Sequence, residues 1–211
     1  MKFRIAAVLV AAALALAGCS SGTDTSARAT PVPAETAKQP VATPTPSPSA
    51  TPTAESRYGT STKNARGNLV KAIGQLSGGS VSPTDPTVVV EFTLTAIDPN
   101  FKCTNQYAQA PANGHFVALT FDVQTTADLA KAAFPEWSIM SSDFRVFAPD
   151  GTRENDSTGN SSGCLKESEA LPAFMGPGEH AVGKVVLDTA QTTGSIVLAN
   201  GGGSTGWEWG F

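Results

Sequence analysis

His115-Phe116-Val117-Ala118-Leu119-Thr120-Phe121-Asp122-Val123-Gln124-Thr125 places Val117, Leu119, Phe121 and Val123 on one side, against Ala118, Thr120, Asp122 and Gln124 on the other. Successive side chains of a strand point to opposite faces, so this period of two predicts a half-buried β-strand. Upstream, Val88 to Ile97 repeats the pattern, with Val88, Val90, Phe92, Leu94 and Ala96 on the apolar side and Glu91, Thr93 and Thr95 opposite. Two such strands need a sheet, and the rest of the C-terminal half supplies it. Trp137 to Phe147 predicts a strand carrying Met140, Ser142, Phe144 and Val146, closed by the turn residues Ala148-Pro149-Asp150-Gly151. Gly176-Pro177-Gly178 turns into a strand over Glu179 to Asp188, and Ile196-Val197-Leu198 forms a further short one. After Gly201-Gly202-Gly203, a flexible turn, Gly206-Trp207-Glu208-Trp209-Gly210-Phe211 fits a last strand with both indoles facing one way. Many short strands with turns between them and no long helical pattern predict an all-β fold, an antiparallel immunoglobulin-like β-sandwich of about seven strands.

Upstream of residue 80 the chain changes character. Tyr58 to Gly79 is a transition segment in which Leu69 to Leu76 reads as a first edge strand, with a short helix as the alternative on the spacing of Leu69, Val70, Ile73 and Leu76. Gly67 and Gly74 weigh against the helix, at about 1 kcal/mol each. Residues 19–57, the lipidated Cys19 and a linker, hold seven of the fifteen prolines and no aromatic residue, so they build no core. Extended Pro-rich chain spans about 3.1 Å per residue, which gives this linker a reach of at most roughly 120 Å. Its Thr-Pro-Ser run around Thr43 to Pro52 is also of a kind that carries O-linked sugar, the alternative being a bare spacer.

Residues 1–18 read as a signal peptide. Lys2 and Arg4 precede an apolar run from Ile5 to Ala17, which is shorter than the roughly 20 residues that span a bilayer. The run ends in Leu16-Ala17-Gly18-Cys19, a lipobox, in which small residues admit a peptidase and the Cys19 thiol carries a diacylglycerol. An ordinary secretory signal with an incidental cysteine is the alternative. Both readings place residues 19–211 outside the cytoplasm, and the first tethers them to the membrane through the lipid on Cys19.

Charge excludes one class of partner. Removing Lys2 and Arg4 takes the formal charge from −4 to −6, since residues 1–18 hold no acid. Such a chain has no electrostatic footprint for nucleic acid and is repelled by anionic lipid.

Three stretches in order, Gly114 to Val123, Phe144 to Gly151, and Gly176-Pro177-Gly178 followed by Gly183 to Asp188, resemble a widespread family of uncharacterised immunoglobulin-like bacterial lipoprotein domains. Many members come from high-GC Gram-positive bacteria, and the family is related in shape to secreted immunogenic mycobacterial proteins. The resemblance covers Leu69 to Trp209 and rests on patterning. It implies a fold and an extracytoplasmic compartment, with no catalytic residues to carry over.

With Cys19 assigned to lipid, Cys103 and Cys164 remain as an even pair in an oxidising compartment, which predicts a disulfide. Two free thiols, or a nucleophilic cysteine working with His115 or His180, are the alternatives. Neither cysteine has companions at metal-ligand spacing. His115 and His180 are the only histidines, and the absence of Gly-x-Ser-x-Gly removes the hydrolase elbow. Asp150, Glu154, Asn155 and Asp156 offer oxygens suited to Ca²⁺, but their spacing is not that of an EF-hand and polar turns look the same without metal. No cofactor or metal is expected.

Trp207 and Trp209 are read in two ways: a final strand closing the core, or an exposed aromatic binding surface. If the indoles are core, the binding surface moves to the loops Asn105 to Asn113 and Asp150 to Gly163. Trp137 reads as a core cap. The functional expectation is a membrane-anchored envelope lipoprotein that displays a non-enzymatic module for an unknown protein, peptide or glycan. The alternative is an envelope hydrolase or metal-dependent enzyme on the same scaffold.

Overall fold

The computed structural model describes residues 57–59, 62–82, 84–199 and 205–211. Cys19, the signal peptide, almost all of the linker and the Gly201 to Gly203 turn lie outside them. Nine strands are described: β1 (Thr62–Lys63), β2 (Leu69–Val70), β3 (Leu76–Ser82), β4 (Asp85–Asp98), β5 (His115–Thr125), β6 (Phe144–Phe147), β7 (His180–Thr189), β8 (Ser195–Leu198) and β9 (Trp207–Gly210). They form two sheets, ordered β1-β2-β9-β8-β6 and β3-β4-β5-β7. The helical residues described are three 3₁₀ turns, the longest spanning Ala127–Lys131.

The alternation in β4 and β5 sets the packing. Val90, Phe92, Leu94, Val117, Leu119, Phe121, Val123, Val185 and Leu187 of one sheet meet Phe144, Val146, Ile196, Leu198 and Trp209 of the other in one buried cluster. Phe121 makes an edge contact with Trp209, ring centres 6.3 Å apart, and Phe92 does the same with Trp207 at 4.9 Å. The chain is therefore an all-β sandwich, with nine strands where the spacing predicted about seven.

Four local expectations are corrected. Ala96 does not continue the inner face of β4, because the pairing with β5 slips between Leu94 and Ala96. One extra residue flips the phase, so Ala96 is exposed while Ile97 packs on the core. Leu69 to Leu76 is neither one strand nor a helix, since β2 joins the first sheet and β3 the second. The chain crosses between them at Gly74, whose φ of 83° suits glycine and whose N–H donates to Leu94 O at 2.8 Å. Buried Lys71 holds the crossing by donating to Tyr58 O and Leu76 O at 2.9 and 3.1 Å, and its burial lowers the ammonium's pKa. Of Trp137 to Phe147 only the last four residues are strand. Trp137 instead bridges Met175 and packs its ring on the core. Finally, the sandwich is not wholly antiparallel: β2 runs parallel to β9, with Leu69 opposite Trp207.

A polar cluster fastens that parallel pair. Glu208, 6% exposed, accepts from Asn64 Nδ2 at 2.6 Å, Asn68 Nδ2 at 2.7 Å and the Arg66 guanidinium. Arg66 also lies over the Phe147 ring, 4.4 Å from its centre. Burial pushes the Glu208 carboxyl up, but bonds from Asn68, Arg66, Asn64 and Ser195 outweigh it and hold the group below its ordinary value. A carboxyl depressed in the folded state adds stability above the unfolded value of about 4.3 and loses it as pH falls through the folded one. Removing one partner of a buried pair costs about 3–5 kcal/mol. Because the Arg66 side chain is 38% exposed, we expect Glu208→Gln to cost about 2 kcal/mol near neutral pH. In urea unfolding followed against pH, the gap between native and variant chains should close below about pH 4. A gap that persists unchanged into acid would show that the cluster is held by shape rather than charge.

Candidate functional site

On the β3-β4-β5-β7 sheet the face turned away from the core is not bare. Phe116, Ala118 and Val186 lie on it and are buried with Cys164 in a second, smaller cluster, against which Phe101, Cys103 and Leu165 pack. Two long connections form this cover, residues 99–114 and 148–179. A disulfide joins Cys103 to Cys164 across 61 residues of sequence. Around it, the N–H groups of Thr104 and Asn105 donate to Cys164 O at 2.9 and 3.1 Å. The Thr104 hydroxyl donates to Glu169 and accepts from Lys166 N.

Asp188, at the end of β7 and with no exposed surface, fastens the other end of the cover. Its Oδ2 accepts from Ala112 N and Asn160 N, both at 2.7 Å, and its Oδ1 from Asn113 N at 2.8 Å. The Asn113 amide adds bonds to Asp188 O and Asp156 O at 3.0 and 3.1 Å, and Asn160 Nδ2 reaches Ala110 O at 2.9 Å. Gly159, with φ of 40°, stands where any side chain would run into the Asp188 carboxylate, so the close approach requires glycine. Residues 103–113 hold no strand or helix, yet both ends are tied to the sandwich.

Between that loop and the start of β5 opens a cavity of about 390 Å³. Phe101, Phe116, Ala108 and Pro111 supply apolar lining, and Asn100, Lys102, Asn105, Gln109 and His115 supply polar groups. Tyr107, 82% exposed, stands between the lining residues Asn105 and Ala108. A volume of this size falls in the roughly 300–1,000 Å³ range of small-molecule sites.

The remaining candidates separate from this site. His180 Nε2 lies 2.8 Å from Asp122 Oδ1 on the uncovered part of the sheet, both side chains being about half exposed. Among the described residues no serine or cysteine side chain is bonded to His180. Glu154 accepts from the Thr189 hydroxyl and Ala190 N. Asp156 Oδ1 accepts from Thr158 N, and Asp150 from Thr152 N, a bond that holds the Asp150 carboxyl below its usual range. These oxygens shape turns, and no group of three or more metal-ligating side chains occurs among the described residues. Trp207 and Trp209 do not form a binding surface: Trp209 has no exposed surface and Trp207 is half-buried against Phe92. Both indoles face the core because residues two apart on β9 share a face.

Asp188 and Lys102 were not singled out from the sequence. Apolar Phe116 and Val186, standing in the outward phase of their strands, were the available sign that this face is covered.

No family model matches the chain, and no curated protein matches it. Among solved structures, the secreted protein MPT63 of Mycobacterium tuberculosis is similar with a TM-score of 0.42 and 14% sequence identity, over 68% of this chain and 98% of that one.

Proposed function

We propose that the chain is a lipid-anchored extracytoplasmic lipoprotein whose β-sandwich is a binding module rather than an enzyme. The observation that carries the binding reading is the cavity at the 103–113 loop, whose wall is tied down by the disulfide at one end and by Asp188 at the other. A wall already held in place loses little conformational entropy when a ligand arrives, which favours affinity. Ligand-observed NMR with the full chain in mild detergent tests it, using small molecules extracted from the cell envelope. Signals attenuated by the native chain should survive with Gln109→Trp, which fills the cavity. No attenuation, or attenuation that Gln109→Trp leaves intact, would refute the site.

The anchor rests on Leu16-Ala17-Gly18-Cys19 and on the Pro-rich linker that follows it. One acyl chain binds membrane marginally and two bind stably, so a diacylated Cys19 holds the chain firmly. Cys19→Ala is expected to move it from the detergent to the aqueous phase in a detergent-partition experiment. Retention in the detergent phase would remove Cys19 as the attachment point.

A further inference from the structure

The cavity at the 103–113 loop carries a charge that runs against the rest of the molecule. The chain has a formal net charge of −4, yet no Asp or Glu lines this cavity, while Lys102 and His115 do. Among the described residues, neither of these two side chains is bonded to another group. Asp98 Oδ1 accepts Asn100 N–H at 3.1 Å, and each Asp188 oxygen is occupied by backbone donors. Asn100 and Gln109 add amides able to donate to an anion, Asn105 Nδ2 already reaches Leu165 O at 3.5 Å, and either protonation state of His115 offers an N–H.

We propose that the cavity binds a small organic carboxylate with an apolar body, a proposal that rests on the cavity being a binding site at all. Lys102, with donors from His115 and the side-chain amides, holds the carboxylate; Phe101, Phe116, Ala108 and Pro111 hold the body. One permanent cation balances a single negative charge, whereas a phosphate dianion held by one lysine would leave about one charge unmatched, with no arginine fork or aligned backbone N–H set among the described lining residues to meet it. The same chemistry occurs in a free small acid and at the C-terminus of a peptide.

Titration calorimetry of the full chain in mild detergent tests the proposal with three probes: N-acetyl-phenylalanine, its uncharged amide, and the tripeptide Gly-Gly-Phe. The acid should bind at least about tenfold more tightly than the amide, the loss of a charge-assisted bond. Lys102→Met should weaken the acid by a similar factor, leave the amide unchanged and leave the melting temperature in place; His115→Gln should weaken the acid less. Tighter binding of the tripeptide would assign the source as a chain terminus, and tighter binding of the acetylated acid a free small molecule, either supporting the proposal. Equal binding of acid and amide, or no response to Lys102→Met, would overturn the charge assignment while leaving the cavity as a site. Absence of binding by all three probes would overturn the proposal, and the Gln109→Trp comparison would then decide separately whether the cavity binds anything.

Discussion

Trp209→Ala is expected to cost about 3–5 kcal/mol of unfolding free energy, the range for removing a large buried aromatic. The indole has no exposed surface, meets Phe121 edge-on at 6.3 Å and sits opposite Ile196 in the β8-β9 pair. A domain with a typical total of about 5–15 kcal/mol has little left after such a loss. The companion variant is Trp209→Phe. Trp209 Nε1 is buried without a partner among the described residues, a defect worth about 1–3 kcal/mol that phenylalanine removes, so this change should cost less than half as much as alanine. Denaturant unfolding of the three chains reads both effects. Stability within about 1 kcal/mol of native for Trp209→Ala would mean that the indole is not a core residue.

The disulfide should matter nearly as much, and in a different place. Closing 61 residues of sequence is worth about 4 kcal/mol in the chain-entropy account. For a domain of this size that corresponds to a fall of roughly 8–16 °C in melting temperature for Cys103→Ala with Cys164→Ala. Alanine is chosen because Cys164 is fully buried beside Phe116 and Val186, where a serine hydroxyl would lack a partner. The β-sheet circular dichroism should persist, because the main core holds neither cysteine. Amide exchange should quicken at residues 103–113 and 157–166 well before the strands respond. Uniform acceleration across β4, β5 and β7 would show instead that cover and sandwich unfold as one unit.

The fold was legible where one residue's environment repeats every second position. In β5 the inner row Val117, Leu119, Phe121 and Val123 is wholly buried, and the strand ends where the spacing placed them. The Cys103–Cys164 pair was readable because compartment and parity left few other uses. What escaped depends on contacts between distant residues. Nothing in Thr95 or Ala96 marks the slipped register, since a bulge is decided by how β5 docks. Gly74 signals a turn but not that the next strand joins the opposite sheet. Asp188 looks like any polar residue at a strand end, and its role emerges only when backbone donors 76, 75 and 28 residues away converge on it. The cavity is likewise a product of how two connections lie on the sheet, so only one of its walls, the Asn105 to Asn113 loop, could be named beforehand as a fallback surface.

The parallel pairing of β2 with β9 sets the order of events during synthesis. Leu69 N donates to Gly206 O at 2.8 Å and Lys71 N to Glu208 O at 2.9 Å, so the N-terminal strands of the sandwich wait for partners made far later in the chain. Until Trp207–Gly210 has left the ribosome, and in a secreted chain the translocation channel, β1 and β2 have no sheet to join and Asn64, Arg66 and Asn68 have no carboxylate to hold. Folding cannot be completed from the N-terminus forward as the chain emerges. Closure waits for β9, so a product truncated before Trp207 is left with a loose N-terminal strap and an open sheet edge for quality-control proteases to find.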